Sequence, residues 1–142
     1  MKGVKLRRDF LTRKERSELM ARVRSQNTSP EMYVRRLVHS MGYRFRLYSG
    51  HLPGRPDLVF PRLQKAIFVH GCFWHGHKCR AGRNRPKTNK VYWEQKLDRN
   101  KIRDRQSRIL LKKMGWGVLV LWECRLRNQA RIAEQVKRFL VA

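Results

Sequence analysis

The residues Ala66-Ile67-Phe68-Val69-His70-Gly71-Cys72-Phe73-Trp74-His75-Gly76-His77-Lys78-Cys79 decide how the rest of the chain is read. A short apolar run leads into a segment that holds three of the five histidines and two of the three cysteines, with Phe73 and Trp74 between them. A solvated loop gains nothing from that mixture, and a hydrophobic core would be damaged by it. The pattern predicts a strand that ends in a metal-bearing loop, with the aromatics left to meet something planar.

The flanks supply a sheet for that strand. Residues 57–60 read as a second strand behind Pro56, and residues 61–65 as a turn. Residues 43–48 alternate apolar side chains with arginine, the signature of a half-buried strand. Three strands joined by tight connections predict a meander. Ahead of them Ser29-Pro30-Glu31 reads as N-cap, N1 proline and first-turn acid, and Val34, Leu37, Val38 and Met41 recur at helical spacing. Further upstream, Thr12 and Glu15 have the spacing of a capping box, opening a short helix through Leu19, Met20 and Val23.

Beyond the loop, residues 80–90 form a basic connection. Residues 91–114 turn helical, with Trp93, Leu97, Ile102, Ile109 and Leu110 as the apolar positions. Their fit to one stripe is poor enough to allow a kink or two helices. Residues 118–122 are continuously apolar, which predicts a strand covered on both faces. Ile132, Val136, Phe139 and Leu140 give a closing amphipathic helix. The order α-β-β-β-α-β-α describes one mixed sheet with helices on both sides.

Composition narrows the function classes. A chain of 142 residues supports one cored domain. No apolar run is long enough to span a bilayer, and the basic N-terminus lacks the apolar stretch of a signal peptide. Three cysteines cannot all pair, so reduced thiols in a cytosolic or nucleoid setting are expected. Thirty-five Lys+Arg against ten Asp+Glu leave a net charge of +25. Self-repulsion of that size points to a polyanionic partner, and nucleic acid fits better than a membrane surface because no long, clean amphipathic face is present. Neutralising about six phosphates gives a log K against log salt slope of roughly −5.

Cys72, His77 and Cys79 lie close together, and Cys124 stands just past the last expected strand. If that strand lies beside the one ending at His70, Cys124 falls over the same sheet edge as Cys72. Thiolate and imidazole are the ligands Zn²⁺ prefers, and four of them close a tetrahedral structural site. The competing reading is three small buried hydrophobes. His70 and His75 are then left over.

Asp57 opens one strand of a hairpin-connected pair and His70 closes the other, so the two should be neighbours. A carboxylate suits Mg²⁺, and a histidine of near-neutral pKa suits proton transfer from an attacking water. On a basic surface the reaction class is metal-assisted phosphodiester hydrolysis. The plain alternative is a turn aspartate and a satisfied strand-end histidine. Phe73, Trp74 and Trp93 are candidates either for core or for wedges that open a base step. Glu31 is either a charge complement to its helix N-terminus or a carboxylate facing the site.

The motif His70-Gly71-Cys72-Phe73-Trp74-His75-x-His77-x-Cys79 is accompanied by Leu52-Pro53-Gly54-Arg55-Pro56-Asp57, Gly115-Trp116 and Trp122-Glu123-Cys124. Together these resemble the very-short-patch repair endonucleases, bacterial DNA mismatch endonucleases with a restriction-endonuclease-like fold. The likeness runs from about Met20 to Leu140. It implies residues 1–19 as a basic arm and residues 20–142 as one endonuclease domain. It also implies a Mg²⁺-dependent nick 5′ to the mismatched thymine of a T:G pair left by deamination of 5-methylcytosine.

By that resemblance Asp57 and the Val69 backbone carbonyl hold Mg²⁺, and His75 is the general base. His70 supports metal and phosphate, and Glu31 helps orient the cluster. Cys72, His77, Cys79 and Cys124 bind structural Zn²⁺, while Phe73, Trp74 and Trp93 enter the DNA. Val69 stands where members often carry threonine, but the backbone carbonyl is what that position contributes. The implied partners are mismatched duplex DNA, mismatch-repair proteins and a cognate cytosine methyltransferase. Nicking one strand needs only a monomer.

Overall fold

The computed structural model describes residues 28–47 and 51–142. Residues 1–19, the expected capping box and its helix, and Tyr48 lie outside the described residues. Among the described residues eight α-helices and β-strands follow in order: α1 (Ser29–Ser40), β1 (Arg46–Leu47), β2 (Leu58–Phe60), β3 (Lys65–His70), α2 (Arg80–Arg83), α3 (Lys90–Lys113), β4 (Gly117–Trp122) and α4 (Gln129–Val141), with short 3-10 turns at Pro61–Leu63 and Glu123–Arg125. The sheet has the strand order β1-β2-β3-β4. The first three strands form the expected antiparallel meander, and β4 lies parallel to β3 with His70 opposite Trp122. The parallel pairing requires a crossover, which α3 supplies.

Side-chain alternation divides the sheet into two working faces. Leu58, Phe60, Ile67, Val69 and Leu121 meet Val34, Leu37 and Val38 of α1 and Ile132, Val136 and Leu140 of α4. These apolar side chains are almost fully buried, and each contributes roughly 1.5–3 kcal/mol of transfer free energy. The opposite face carries Val59, Ala66, Phe68 and His70, and α3 packs on that side against β4. The core face holds the fold, and the other face is apolar along most of its length and ends in the buried His70.

Several local expectations are corrected. The N-cap of α1 is Thr28 rather than Ser29; its Oγ1 accepts the Glu31 N–H at 3.4 Å. Strand β1 has only two residues, both exposed, because its sole partner β2 is itself short; Tyr43 and Phe45 pack on the core without joining the ladder. The basic connection contains the one-turn helix α2. Residues 90–113 form one continuous helix, with no second segment. Its buried positions are Leu97, Asn100, Ser107 and Leu111, while Ile102, Ile109 and Leu110 are exposed. Strand β4 has α3 on one face and the α1/α4 core on the other, but the cover is partial: only Leu121 is buried and its other residues are half-buried, since β4 ends the sheet.

The loop into β2 is pressed against α3. A Cβ at Gly54 would sit 2.7 Å from Ser107 Cβ and 2.8 Å from its Oγ, and the glycine φ is +79°. Both facts demand glycine here. This close approach seats the loop that delivers Pro56 and Asp57 to the start of β2. Among the described residues, no helix is long and apolar enough to cross a membrane.

Candidate functional site

The segment after β3 folds back on itself through backbone hydrogen bonds: His75 N to Gly71 O at 3.2 Å, Gly76 N to Phe73 O at 3.2 Å, and His77 N to Cys72 O at 3.0 Å. The tight turn sends its side chains in three directions. Cys72 and His77 point toward Cys79 and Cys124, His75 toward His70, and Phe73 and Trp74 toward α3.

In the first group the ligand atoms of Cys72, His77, Cys79 and Cys124 all lie within 4.8 Å of one another. Cys124 Sγ is 3.6 Å from His77 Nδ1. Metal–ligand bonds of about 2.0–2.3 Å put the ligands of a tetrahedral ion roughly 3.3–3.8 Å apart, so this edge already has the right length. The parallel pairing of β3 and β4 places Cys124 above Cys72, whose Sγ accepts the Cys124 N–H at 3.4 Å. His77 stacks on Trp122 with ring centroids 4.1 Å apart, which fixes its plane.

Gly82 closes the cluster from α2. A Cβ there would fall 2.0 Å from the His77 carbonyl oxygen. Burial pushes the Cys72 thiol up to about 12. The hydrogen bond from His77, with help from the Gly82 backbone, brings Cys79 down to about 6. The set S, N, S, S is soft and compact, and it fits a tetrahedral divalent cation of the zinc type.

The second group is His70, His75 and Asp104, whose ligand atoms also lie within 4.8 Å of one another. The two imidazoles stack face to face, with centroids 3.8 Å apart and planes 1° from parallel. His75 Nδ1 lies 2.5 Å from Asp104 Oδ2. Burial alone would raise Asp104, but the hydrogen bond from His75 and the charges of His75, His70 and Arg103 outweigh it and leave the carboxyl below its ordinary value. Burial, together with the charge of His75, lowers His70 to about 3. His70 is therefore a neutral imidazole at neutral pH, and its buried Nδ1 has no hydrogen-bond partner among the described residues. Since an ionised carboxylate only accepts, Asp104 fixes the proton on His75 Nδ1 and leaves Nε2 as the basic nitrogen. Two imidazoles and one carboxylate are a poor set for a hard cation and a good one for moving a proton.

The third group is acidic. Asp57 sits just before β2, and its Oδ2 accepts the Val69 N–H at 2.6 Å, tying the start of β2 to the end of β3 as the hairpin geometry predicts. Burial raises Asp57 to about 7, and the nearby negative charge of Glu31 adds to the rise, while the Val69 N–H and Arg35 oppose it. Glu31 is buried on α1 and paired with Arg35 at 3.1 Å. Two close carboxylates held this way are unfavourable unless a proton or cation accompanies them. Hard oxygen donors suit Mg²⁺. Val69 is buried in β3, and its backbone is positioned by the same hydrogen bond.

Phe73, Trp74 and Trp93 are brought together at the N-terminal end of α3. Their centroids are 5.0 Å (Phe73–Trp74), 5.7 Å (Phe73–Trp93) and 5.8 Å (Trp74–Trp93) apart. All three are half-buried, and Lys96 Nζ lies within 6 Å of the Trp74, Tyr92 and Trp93 rings. The cluster is neither core nor free surface.

Two residues of α3 escaped the sequence reading. Asp104 holds His75, and buried Asn100 donates its Nδ2 to the Trp74 carbonyl at 3.0 Å while accepting from Arg103 at 2.9 Å. The signal was available in the helical spacing of Leu97, Asn100, Asp104, Ser107 and Leu111, a single stripe with polar members in its middle.

Comparison with known proteins adds an independent line. A family model described as DNA mismatch endonuclease Vsr matches residues 8–81. The type II nicking enzyme V.XorIIP of Xanthomonas oryzae pv. oryzae is 46% identical over 132 residues, covering 93% of this chain and 96% of the relative. The type II nicking enzyme V.NmeAIP of Neisseria meningitidis serogroup A is 37% identical over 132 residues, covering 93% and 94%. The DNA mismatch endonuclease Vsr of Escherichia coli K12 is 37% identical over 120 residues, covering 84% and 76%.

Proposed function

The chain belongs to the Vsr family of DNA mismatch endonucleases, and on that footing we propose that it nicks duplex DNA 5′ to the mismatched thymine of a T:G pair. The cut opens very-short-patch repair of deaminated 5-methylcytosine. As a family member the protein is a nicking endonuclease acting on DNA. The observation that carries the finer reading is the end of β3 and the loop that follows it, where the Asp57 tie at Val69, the His75–Asp104 pair and the aromatic cluster lie within a few residues of one another.

Each side chain takes a role that its surroundings support. His75 Nε2 withdraws a proton from the attacking water, and Asp104 holds the tautomer and shares the resulting positive charge. His70 stays neutral beneath it, which removes a competing cation from the stack. In this reading His70 supports the metal and the phosphate. Asp57 and the Val69 carbonyl are the Mg²⁺ ligands in this reading, with Glu31 holding the carboxylate cluster in place. When bound, Mg²⁺ neutralises charge on the scissile phosphate and its leaving oxygen. Zn²⁺ on Cys72, His77, Cys79 and Cys124 is a structural crosslink between the loop and β4. Phe73, Trp74 and Trp93 enter the base step at the mispair, at a cost of a few kcal/mol of unstacking.

The mixed sheet between helices is compatible with a restriction-endonuclease-like core, the fold we assign to residues 20–142. Residues 1–19 are an arm for the phosphate backbone. The protein works as a monomer in the bacterial cytoplasm on nucleoid DNA, with mismatch-repair proteins and a cognate cytosine methyltransferase as functional partners.

A second reading keeps the chemistry and changes the target. Relatives named type II nicking enzymes, one at 46% identity, favour a nicking enzyme tuned to other flanking bases. An end-labelled duplex with one T:G pair in varied flanks, incubated with Mg²⁺, separates the two. A single cut 5′ to the thymine supports the first reading, and cutting that ignores the mispair supports the second.

A further inference from the structure

A second charged surface lies beside the Cys/His cluster. Between the free edge of β4 and the outer side of α4 runs a cavity of about 890 Å³. Arg125, Arg127 and Arg131 line it, with Arg138 further along α4. His77 and Cys124 form part of its wall, so it adjoins the Cys/His cluster directly. Trp122, also in the wall, has its ring 5.1 Å from His70 and 6.3 Å from His75. The cavity therefore communicates with the catalytic group through one indole.

Three of its four arginines have no carboxylate partner among the described residues. Arg138 is paired with Glu134 at 2.8 Å, but among the described residues no carboxylate pairs with Arg125, Arg127 or Arg131. All three are exposed, and α4 has no acid in its first turn. Three unpaired guanidinium groups in one concavity repel each other, and a row of phosphates relieves that repulsion while using the bidentate geometry of arginine.

We propose that the Arg125–Arg127–Arg131 groove is a second phosphate track, which grips the backbone of the duplex flanking the nick. The inference rests on the assignment of duplex DNA as substrate and adds a surface to it. DNA is favoured over an acidic protein segment because the groove adjoins the site assigned to duplex DNA. A long duplex seated at His75 continues beyond it toward the groove, and a short one does not reach it. The track supplies affinity and register without base readout.

The test is the triple variant Arg125→Gln/Arg127→Gln/Arg131→Gln of the full chain, with T:G duplexes of about 40 and about 12 base pairs, the shorter being roughly one helical turn. On the long duplex the variant is expected to bind at least tenfold more weakly at moderate salt. Its log K against log salt slope should be shallower by about three, near 0.9 per lost phosphate contact. On the short duplex, variant and parent should bind and nick alike. The charge-conserving triple Arg→Lys variant should recover most of the salt slope.

Parental affinity and slope on the long duplex would overturn the proposal and leave the groove to an acidic partner. An equal loss on both lengths would overturn it too, since the residues would then serve the nick itself. Bound metal and the unfolding midpoint confirm that each variant is folded. A parent that nicks neither duplex would instead indict the substrate assignment.

Discussion

His75 Nδ1 and Asp104 Oδ2 lie 2.5 Å apart although 29 positions separate them in the chain. One residue comes from the loop after β3 and the other from the middle of α3, so the contact closes the site across the α3 face of the sheet. An imidazole anchored at Nδ1 by a carboxylate presents Nε2 in a fixed direction, which is what a general base for water requires.

Asp104→Asn keeps the shape and inverts the hydrogen-bond logic, because the amide can offer its N–H and stabilise the wrong tautomer. The single-turnover nicking rate should fall about a hundredfold to ten-thousandfold. DNA affinity should stay near the parental value. A parental rate would show that His75 does not act through this pair.

Asp57 gives a pH signature. Its carboxyl is raised from 3.8 to about 7 by burial, so the folded state binds the proton more tightly than the unfolded chain. The stability this contributes is fully present below about pH 4 and is lost as pH rises through about 7. In chelator-treated protein, Asp57→Asn should therefore be more stable than the parent at pH 8, by on the order of a few kcal/mol. The same variant should not nick. Parental nicking that rises with pH toward about 7 would report the ionisation needed for Mg²⁺. Denaturant melts at pH 5 and 8, for parent and variant, check the sign.

Gly82→Ala probes the metal cluster without touching a ligand. The new Cβ would lie 2.0 Å from the His77 carbonyl oxygen and 2.7 Å from its nitrogen, so the backbone carrying a ligand must move. Metal content should drop, and stability should fall by about 2–4 kcal/mol. Cys124→Ser should lose metal and stability together. Elemental analysis of the parent should find one zinc per chain, and its absence would remove the structural crosslink from the account.

Trp74→Ala tests the wedge. Losing one stacking partner should weaken binding to a T:G duplex by about 1–3 kcal/mol while leaving binding to a fully paired duplex nearly unchanged. An equal loss on both duplexes would return Trp74 to a packing role.

The parts of this site legible in the sequence are those whose chemistry cannot be disguised. Cys72, His77, Cys79 and Cys124 stand out because soft ligands in close spacing have few other uses, and the strand ending at His70 is marked by its apolar run. Hairpin geometry expects Asp57 beside His70; the structure ties Asp57 to the N–H of the preceding Val69, while the His70 ring meets His75 and Trp122. Asp104 was missed because it is one carboxylate in a helix crowded with charge, where Ile102, Ile109 and Leu110 suggest an apolar stripe that in fact faces solvent. The buried face of α3 is partly polar because it covers chemistry, and apolar periodicity is blind to such a face. The short β1 and the half-buried state of β4 depend on which strands are neighbours, a tertiary fact that local pattern does not carry.

The most direct test of the whole account is the single-turnover nicking rate with Mg²⁺ on a T:G duplex, measured beside the same sequence with T:A and C:G pairs. The account predicts one cut, 5′ to the mispaired thymine, at a rate on the order of a hundredfold or more above either control, about 3 kcal/mol of discrimination. Equal rates on the three duplexes would contradict it.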